Sequence, residues 1–302
     1  SIVDLREELK KGNRSVLSME LKQQMDHALK NREQVMLFLN RRGYAGFVSC
    51  RACGHVMKCP HCDVSLSEHN GNRLVCHYCG YEIAKPESCP SCGSPHIGGF
   101  KAGTQQIEKV LEKEFPEARV LRMDFDTTRT KDSYEKILAA FARHEADILV
   151  GTQMIVKGHD FPDVTLVGVI AADLSLNMDD YHCGERTFQL LTQAVGRSGR
   201  GNKAGHAVIQ TYQPEHYSIQ AAAIQDYEKF YKEEMMYRML LDYPPAAHMM
   251  TVFGACQDEE LLKKAMYYIE VFIRRVSPKE ELHMIGPASA SVGKVKDVYR
   301  QV

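Results

Sequence analysis

The chain has 302 residues, room for about two domains of ordinary size, and its 44% hydrophobic content excludes wholesale disorder. Lysine and arginine number 38 against 39 acidic residues, so any nucleic-acid binding has to come from local basic patches and not from a bulk field. There is no charged-then-apolar leader at the N-terminus and no apolar run of about 18 residues, so the sequence reads as a soluble, cytoplasmic protein that does not engage a membrane.

In chain order, Val3-Asp4-Leu5-Arg6 is too short to assign alone. Ser18 is placed to cap a helix from Met19 to about Asn31, with Leu21, Met25, Ala28 and Leu29 on one face. Val35 to Leu39 is a five-residue apolar run of the length of a buried strand. It runs into Asn40-Arg41-Arg42-Gly43-Tyr44. Two arginines after a strand are ordinarily a solvated pair, but the ends of parallel strands are where α/β folds place ligands.

The cysteines that follow are the most specific chemical signal. Cys50/Cys53, Cys59/Cys62, Cys76/Cys79 and Cys89/Cys92 are four C-x-x-C pairs and use eight of the ten cysteines. Each pair can set two thiolates on one tetrahedral ion, so eight make two closed four-cysteine zinc sites with no open position for catalysis. Five residues separate the first two pairs, which is tight for one ion, and 13 separate the second from the third, which suits a zinc ribbon. Disulfides would need an oxidising compartment, and iron–sulfur ligation usually brings a tighter cysteine run. A zinc deaminase is set aside because no His-x-Glu pair is present. With eight thiolates in place, His55, His61, His69, His77 and His96 read as surface or supporting residues.

Beyond the cysteines, Gly103-Thr104 opens a helix to about Glu114, and free N–H groups at a helix N-terminus make a ready anion site. Val120 to Asp124 reads as a strand, Asp126-Thr127-Thr128 as a turn, and Ser133 to His144 as a helix. Ile148-Leu149-Val150 is a short buried strand ending at Gly151-Thr152, and Val164 to Ile170 is a second. Phe188 to Gln193 is a helical approach to Gly196-Arg197-Ser198-Gly199-Arg200. Strands alternating with helices predict a parallel α/β sheet, with the cysteine block inserted after its first strand. Ala207 to Tyr212 is expected as an edge strand, and Pro214 to about Leu241 as one long helix ended by Tyr243-Pro244-Pro245. The methionines and tyrosines of that helix read as core packing. A strand over His248 to Cys256, an amphipathic helix over Asp258 to Val276 and a strand over Leu282 to Ile285 would begin a small α+β domain, with a further strand due where the sequence stops. Gly293-Lys294 is not a phosphate loop, because the glycine spacing is wrong and no Ser or Thr follows the lysine.

Several of these phrases resemble known motifs. Gly151-Thr152 followed by Gly158-His159-Asp160-Phe161-Pro162 resembles motif V of superfamily 2 helicases, and Gln193-Ala194-Val195-Gly196-Arg197-Ser198-Gly199-Arg200 resembles motif VI. Phe38-Leu39-Asn40-Arg41-Arg42-Gly43-Tyr44 and the four Cys pairs are similar to the bacterial primosomal replication-restart helicases, the PriA family, and so are Val3 to Glu8, Gly12-Asn13-Arg14, Tyr243-Pro244-Pro245 and Tyr299-Arg300. Two departures are Ala246-Ala247, where an aromatic residue commonly follows the prolines, and Ser198, where many members have alanine.

The resemblance implies a RecA-like parallel-sheet lobe, the second of a helicase, with an inserted two-zinc ribbon-like module and a partial α+β C-terminal domain. The expected divisions are 1–49 and 98–240 for the lobe, 50–97 for the zinc insertion and 241–302 for the partial DNA-binding domain. It implies a nested zinc pattern, with Cys50, Cys53, Cys89 and Cys92 on one ion and Cys59, Cys62, Cys76 and Cys79 on the other. Arg197 and Arg200 would reach ATP phosphates, one as arginine finger, Gln193 would sense the nucleotide, and Gly158 and Asp160 would approach it. Arg41, Arg42, Thr104 and Thr152 would meet DNA. The sequence holds no G-x-x-x-x-G-K-[ST], and Asp258-Glu259 reads as a helix start rather than a Mg²⁺-binding pair. The expectation is therefore a C-terminal piece of a larger 3′→5′ DNA helicase that uses ATP and Mg²⁺, restarts forks and initiates primosome assembly. It would act as a monomer on branched and single-stranded DNA, with single-stranded DNA-binding protein and primosome proteins as partners. The alternatives are a zinc-ribbon binding module on a non-motor scaffold and another zinc-containing superfamily 2 ATPase.

Overall fold

The structure is a computed structural model that describes residues 1–39, 47–61, 64–69, 72–76, 79–98, 103–124, 127–128, 131–155, 161–177, 180–199, 203–277 and 282–302. The chain begins with β1 (Ile2–Asp4), α1 (Leu5–Lys10), α2 (Met19–Lys30) and β2 (Gln34–Leu39). A block of short strands follows: β3 (Ser49–Cys50), β4 (Ser67–His69), β5 (Arg73–Val75), β6 (Glu82–Ala84) and β7 (Ile97–Gly98). Then come α3 (Thr104–Glu114), β8 (Val120–Met123), α4 (Lys131–Ala142), β9 (Ile148–Gly151), β10 (Val164–Ile170), α5 (Asp173–Leu176), α6 (Cys183–Val195) and β11 (His206–Thr211). The remainder is α7 (Tyr217–Ala223), α8 (Tyr227–Leu240), β12 (Gly254–Cys256), α9 (Glu259–Val276), β13 (Ser289–Val295) and β14 (Val298–Gln301).

Six parallel strands in the order β1-β11-β10-β2-β9-β8 form the central sheet. Every residue of β2 and β10 is buried. That is why both strands are predominantly apolar and do not alternate with exposed polar residues: helices cover both faces. Val35, Leu37 and Leu39 point into a core with Leu21, Met25 and Ala28 of α2 and Ile107 and Leu111 of α3. Met36 and Phe38 point the other way, toward Phe141 of α4, Phe188 and Leu191 of α6 and Phe230 of α8. Ser18 caps α2 as its position predicts, accepting from the Leu21 amide at 3.2 Å.

Four expectations change. β11 is not an edge strand, because Ile2, Val3 and Asp4 pair with Ile209, Gln210 and Thr211. The predicted long helix is two helices, broken at Gln225, whose φ is 55° and so leaves the helical region. The strand expected over His248 to Cys256 is confined to β12, and Leu282 to Ile285 forms no strand. The chain instead reaches its last residues in the hairpin β13–β14, which makes a three-stranded antiparallel sheet, β12-β14-β13, beside α9.

The cysteine block leaves the sheet after β2 and returns before α3. Its neck is the antiparallel pair β3–β7, with Cys50 opposite Ile97. Its tip is the meander β4-β5-β6 over a small core of Val48, Val64, Leu66 and Leu74. Among the described residues, no helix is long and apolar enough to cross a membrane.

Candidate functional site

The knuckles of the cysteine block share one hydrogen-bond scheme. The Gly54 amide donates to the Cys50 carbonyl at 2.9 Å, Gly80 to Cys76 at 2.9 Å and Gly93 to Cys89 at 2.8 Å. Each first cysteine in turn donates its amide to the carbonyl five residues on: His55, Tyr81 and Ser94. Closing so tight a turn puts the residue after the second cysteine in the left-handed region, with φ of +77°, +77° and +70°, where glycine carries no penalty. The fourth knuckle, Cys59-x-x-Cys62, has Asp63 in that place, and Cys62 lies outside the described residues.

The knuckles bring two thiol clusters together. Cys50, Cys53, Cys89 and Cys92 have their sulfurs within 4.8 Å of one another, and so do Cys59, Cys76 and Cys79. The Cys50–Cys92 and Cys53–Cys89 separations are both 3.7 Å, and Cys59–Cys79 is 3.5 Å. With Zn–S bonds of about 2.3 Å the edge of a tetrahedron is about 3.8 Å, so the donor set fits zinc. Burial opposes ionisation of Cys89. The Cys92 and Ser91 amides and the Cys53 and Cys50 thiols outweigh it and bring its pKa down to about 7. Cys183, outside both clusters, is pushed up to about 11, chiefly by burial, and so is a poor thiolate donor.

The outer cluster, at the neck, lies against the sheet. A Cβ on Gly54 would collide with the Tyr212 carbonyl oxygen and lie 3.5 Å from Cδ of Arg6. A cavity of about 520 Å³ between them is lined by Arg6, Gly54, Lys58, Tyr212 and Gln213 among others. Arg6 is fixed by Asp4 at 2.7 Å and Glu215 at 2.6 Å. Tyr212 is fixed by Asp173, which accepts its amide at 2.9 Å and the Thr211 hydroxyl at 2.7 Å. Asp173 is wholly buried, and burial pushes its carboxyl up against those hydrogen bonds.

The lobe gathers its candidate contacts at the two ends of the parallel strands. At the C-terminal ends of β8 and β9, the Thr104 hydroxyl donates to Asp124 at 2.5 Å and the Thr152 amide to the Met123 carbonyl at 3.3 Å. Thr104 therefore spends its hydroxyl on Asp124, and no side-chain hydrogen bond caps the amides that open α3. The acidic–threonine turn is organised by Asp124: it accepts the Thr127 amide at 3.0 Å, and its carbonyl accepts the Thr128 hydroxyl at 2.6 Å. At the opposite end of the strands, the Gly199 amide donates to the Val164 carbonyl at 3.1 Å, which sets the segment after α6 at the start of β10. Phe161 is tied to the same residue, its carbonyl accepting the Val164 amide at 3.2 Å. Gly199 has φ +71° and packs against the Gly205 backbone with no room for a Cβ. Lys203 is held there by Glu33 at 3.1 Å. Burial raises the Glu33 carboxyl, but Thr165 and Lys203 more than offset it and leave it below its usual range. Gln193 is exposed and Arg197 half-buried at this end. Arg41, Arg42, Gly158, Asp160 and Arg200 lie outside the described residues.

Residues 59–83 match the PriA DNA helicase Cys-rich region (CRR) domain, and residues 99–202 match the helicase conserved C-terminal domain. The replication restart protein PriA of Bacillus subtilis is 49% identical over 302 residues, with 99% of this chain and 37% of that protein covered. The chain belongs to the PriA family. PriA of Synechocystis is 45% identical over 99% of this chain and 36% of that protein, and PriA of Chlamydia muridarum 39% identical over 99% and 40%. The chain thus spans about two fifths of the length of the curated PriA proteins it matches. Within this PriA segment the residues that sequence reading missed are supporting ones: Asp124, Asp173, Glu33 and Tyr212. Asp124 and Asp173 each carried a signal, an acid set at the end of an apolar strand. Glu33 and Tyr212 carried none, because they act through a carboxylate and a backbone atom whose partners lie far off in sequence.

Proposed function

We propose that the chain supplies the second motor lobe of an ATP-dependent 3′→5′ DNA helicase that acts on stalled or branched forks, with a zinc-bound module rising from it. The supporting observation is the separation of the candidate contact residues between the two ends of the parallel strands. Thr104 and Thr152 sit with the amides that open α3 at the ends of β8 and β9, an arrangement suited to the sugar–phosphate backbone of a single strand. Arg197 sits with Gly199 at the start of β10, beside the segment that follows Asp160. ATP and Mg²⁺ would lie between this end and a phosphate-binding lobe. There Arg197 and Arg200 would neutralise charge on the departing γ-phosphate, Gln193 would read the nucleotide and Gly158 and Asp160 would approach it. Arg41 and Arg42 would add DNA contacts after β2. Single-stranded DNA-binding protein and primosome proteins are the partners this reading implies, with a monomer as the acting species.

Phosphate contacts carry no base sequence, which suits recognition of fork shape. The test is turnover by the longer helicase carrying Arg197→Ala or Arg200→Ala. At least one is expected to lower kcat about 10³-fold or more while ATP affinity falls much less, and lysine should rescue poorly. Near-normal hydrolysis and unwinding by both would overturn the assignment.

A further inference from the structure

Arg238 is the most heavily engaged buried cation among the described residues, and nothing above uses it. Its side chain is 5% exposed. Nε donates to Glu234 at 2.7 Å within α8, one terminal nitrogen to the Pro244 carbonyl at 2.5 Å, and the other to Glu185 at 3.1 Å in the first turn of α6. Its guanidinium carbon stands 5.0 Å from the centre of the Tyr181 ring, just before α6. Tyr181 stacks on Tyr243 at 4.8 Å and 10°. Glu234 also accepts the Tyr217 hydroxyl of α7 at 2.7 Å.

A buried guanidinium is costly to strand, so each donor needs a partner held in place. Here the partners come from two helices and the Tyr243-Pro244-Pro245 link, which leads to β12, α9 and the final hairpin. We infer that Arg238 is a positioning residue, a latch that makes α6 and this link move together. Helix α6 has 13 residues and is about 20 Å long at about 1.5 Å per residue. Glu185 is at one end, and Gln193 and Arg197 are at the other. A displacement of the C-terminal unit therefore reaches the arginine end through one stiff helix. Lysine cannot replace the latch, since one ammonium cannot meet three acceptors in a planar fork. The functional side of this inference rests on the reading of Arg197 given above, and the structural side does not.

Two measurements test it. Amide exchange on the chain itself, with Arg238→Met and Arg238→Lys, is expected to show faster uptake both at 243–247 and at 193–199, with β8 and β9 unchanged. Glu185→Gln, which alters the half-exposed partner, is expected to give the same pattern more weakly and covers the case in which the methionine variant does not fold. Uptake changes confined to 227–247 in all folded variants would overturn the latch. In the longer helicase, Arg238→Lys is expected to lower DNA-stimulated kcat about tenfold, with the KM for ATP and DNA-free turnover within about twofold. Equal loss of stimulated and DNA-free turnover, or no loss, would overturn the coupling. Arg197→Ala, assayed alongside, separates the two ideas. If it leaves hydrolysis intact, the nucleotide reading fails while the exchange experiment still decides the latch.

Discussion

The outer and inner cysteine clusters use the same knuckle in different settings. At the neck, Gly54 has the Tyr212 carbonyl against it, and behind that carbonyl stand Asp173, Thr211 and the edge pair β1–β11. At the tip, the cysteines Cys59, Cys76 and Cys79 pack into their own core with Val64, Leu66 and Leu74. Among the described residues, a Cβ on Gly80 would find only Ala288, 3.9 Å away in the segment before β13. The lesson is that an identical chemical motif can lie against the central sheet in one copy and within a small core of its own in the other.

The largest expected difference comes from removing one ligand of each. Structural zinc contributes on the order of 10 kcal/mol to the folding of small modules, so either loss unfolds what depends on that ion. Cys89→Ser should lower the melting temperature of the lobe by about 10 °C, because β1 and β11 lose their brace. Cys59→Ser should release the ribbon and leave the lobe transition within about 2 °C of the parent. Equal shifts followed by circular dichroism would erase the distinction.

A smaller effect should separate the glycines. Gly54→Ala meets both the left-handed backbone and the Tyr212 carbonyl, and is expected to cost about 3 kcal/mol in urea unfolding. Gly93→Ala, with open space around it, meets only the backbone cost of about 1 kcal/mol. Matching values would mean that the Gly54 contact yields freely.

The seam should also respond to acid. Burial, helped by Lys58 of the zinc module, lowers the pKa of His216 from 6.5 to about 4. Between those values the unfolded chain binds a proton that the folded chain refuses, so stability falls as pH drops through this window. The loss should be about 2 kcal/mol by pH 5. His216→Asn can keep the cap on the Ser218 amide and should flatten the profile. An unchanged slope would place the titration elsewhere.

Local physics made much of this legible. Val164 to Ile170 is a strand over the predicted residues, because a stretch so rich in valine, leucine and isoleucine has to be buried on both faces. The cysteine spacing gave the knuckles, since a C-x-x-C-Gly turn closes on itself. What stayed hidden depends on partners distant in sequence. Three residues at the N-terminus become a strand only because β11 lies beside them. The break at Gln225 carries no proline or glycine to announce it. The Thr104 hydroxyl is held by Asp124, 20 residues on, a pairing that no local pattern announces. Arg238 carries no sequence signal of its own, because its three acceptors span from Glu185 to Pro244.

Whether the outer ion belongs with the central sheet is decided most directly by stepwise zinc removal. The chain should hold two zinc ions. Under a slow chelator, with amide exchange followed in parallel, one ion is expected to leave first, with faster uptake confined to 59–84. The second should leave together with protection at Ile2–Asp4 and Ile209–Thr211. Loss of both ions with the sheet edge still protected, or opening of that edge with the first ion, would contradict the account.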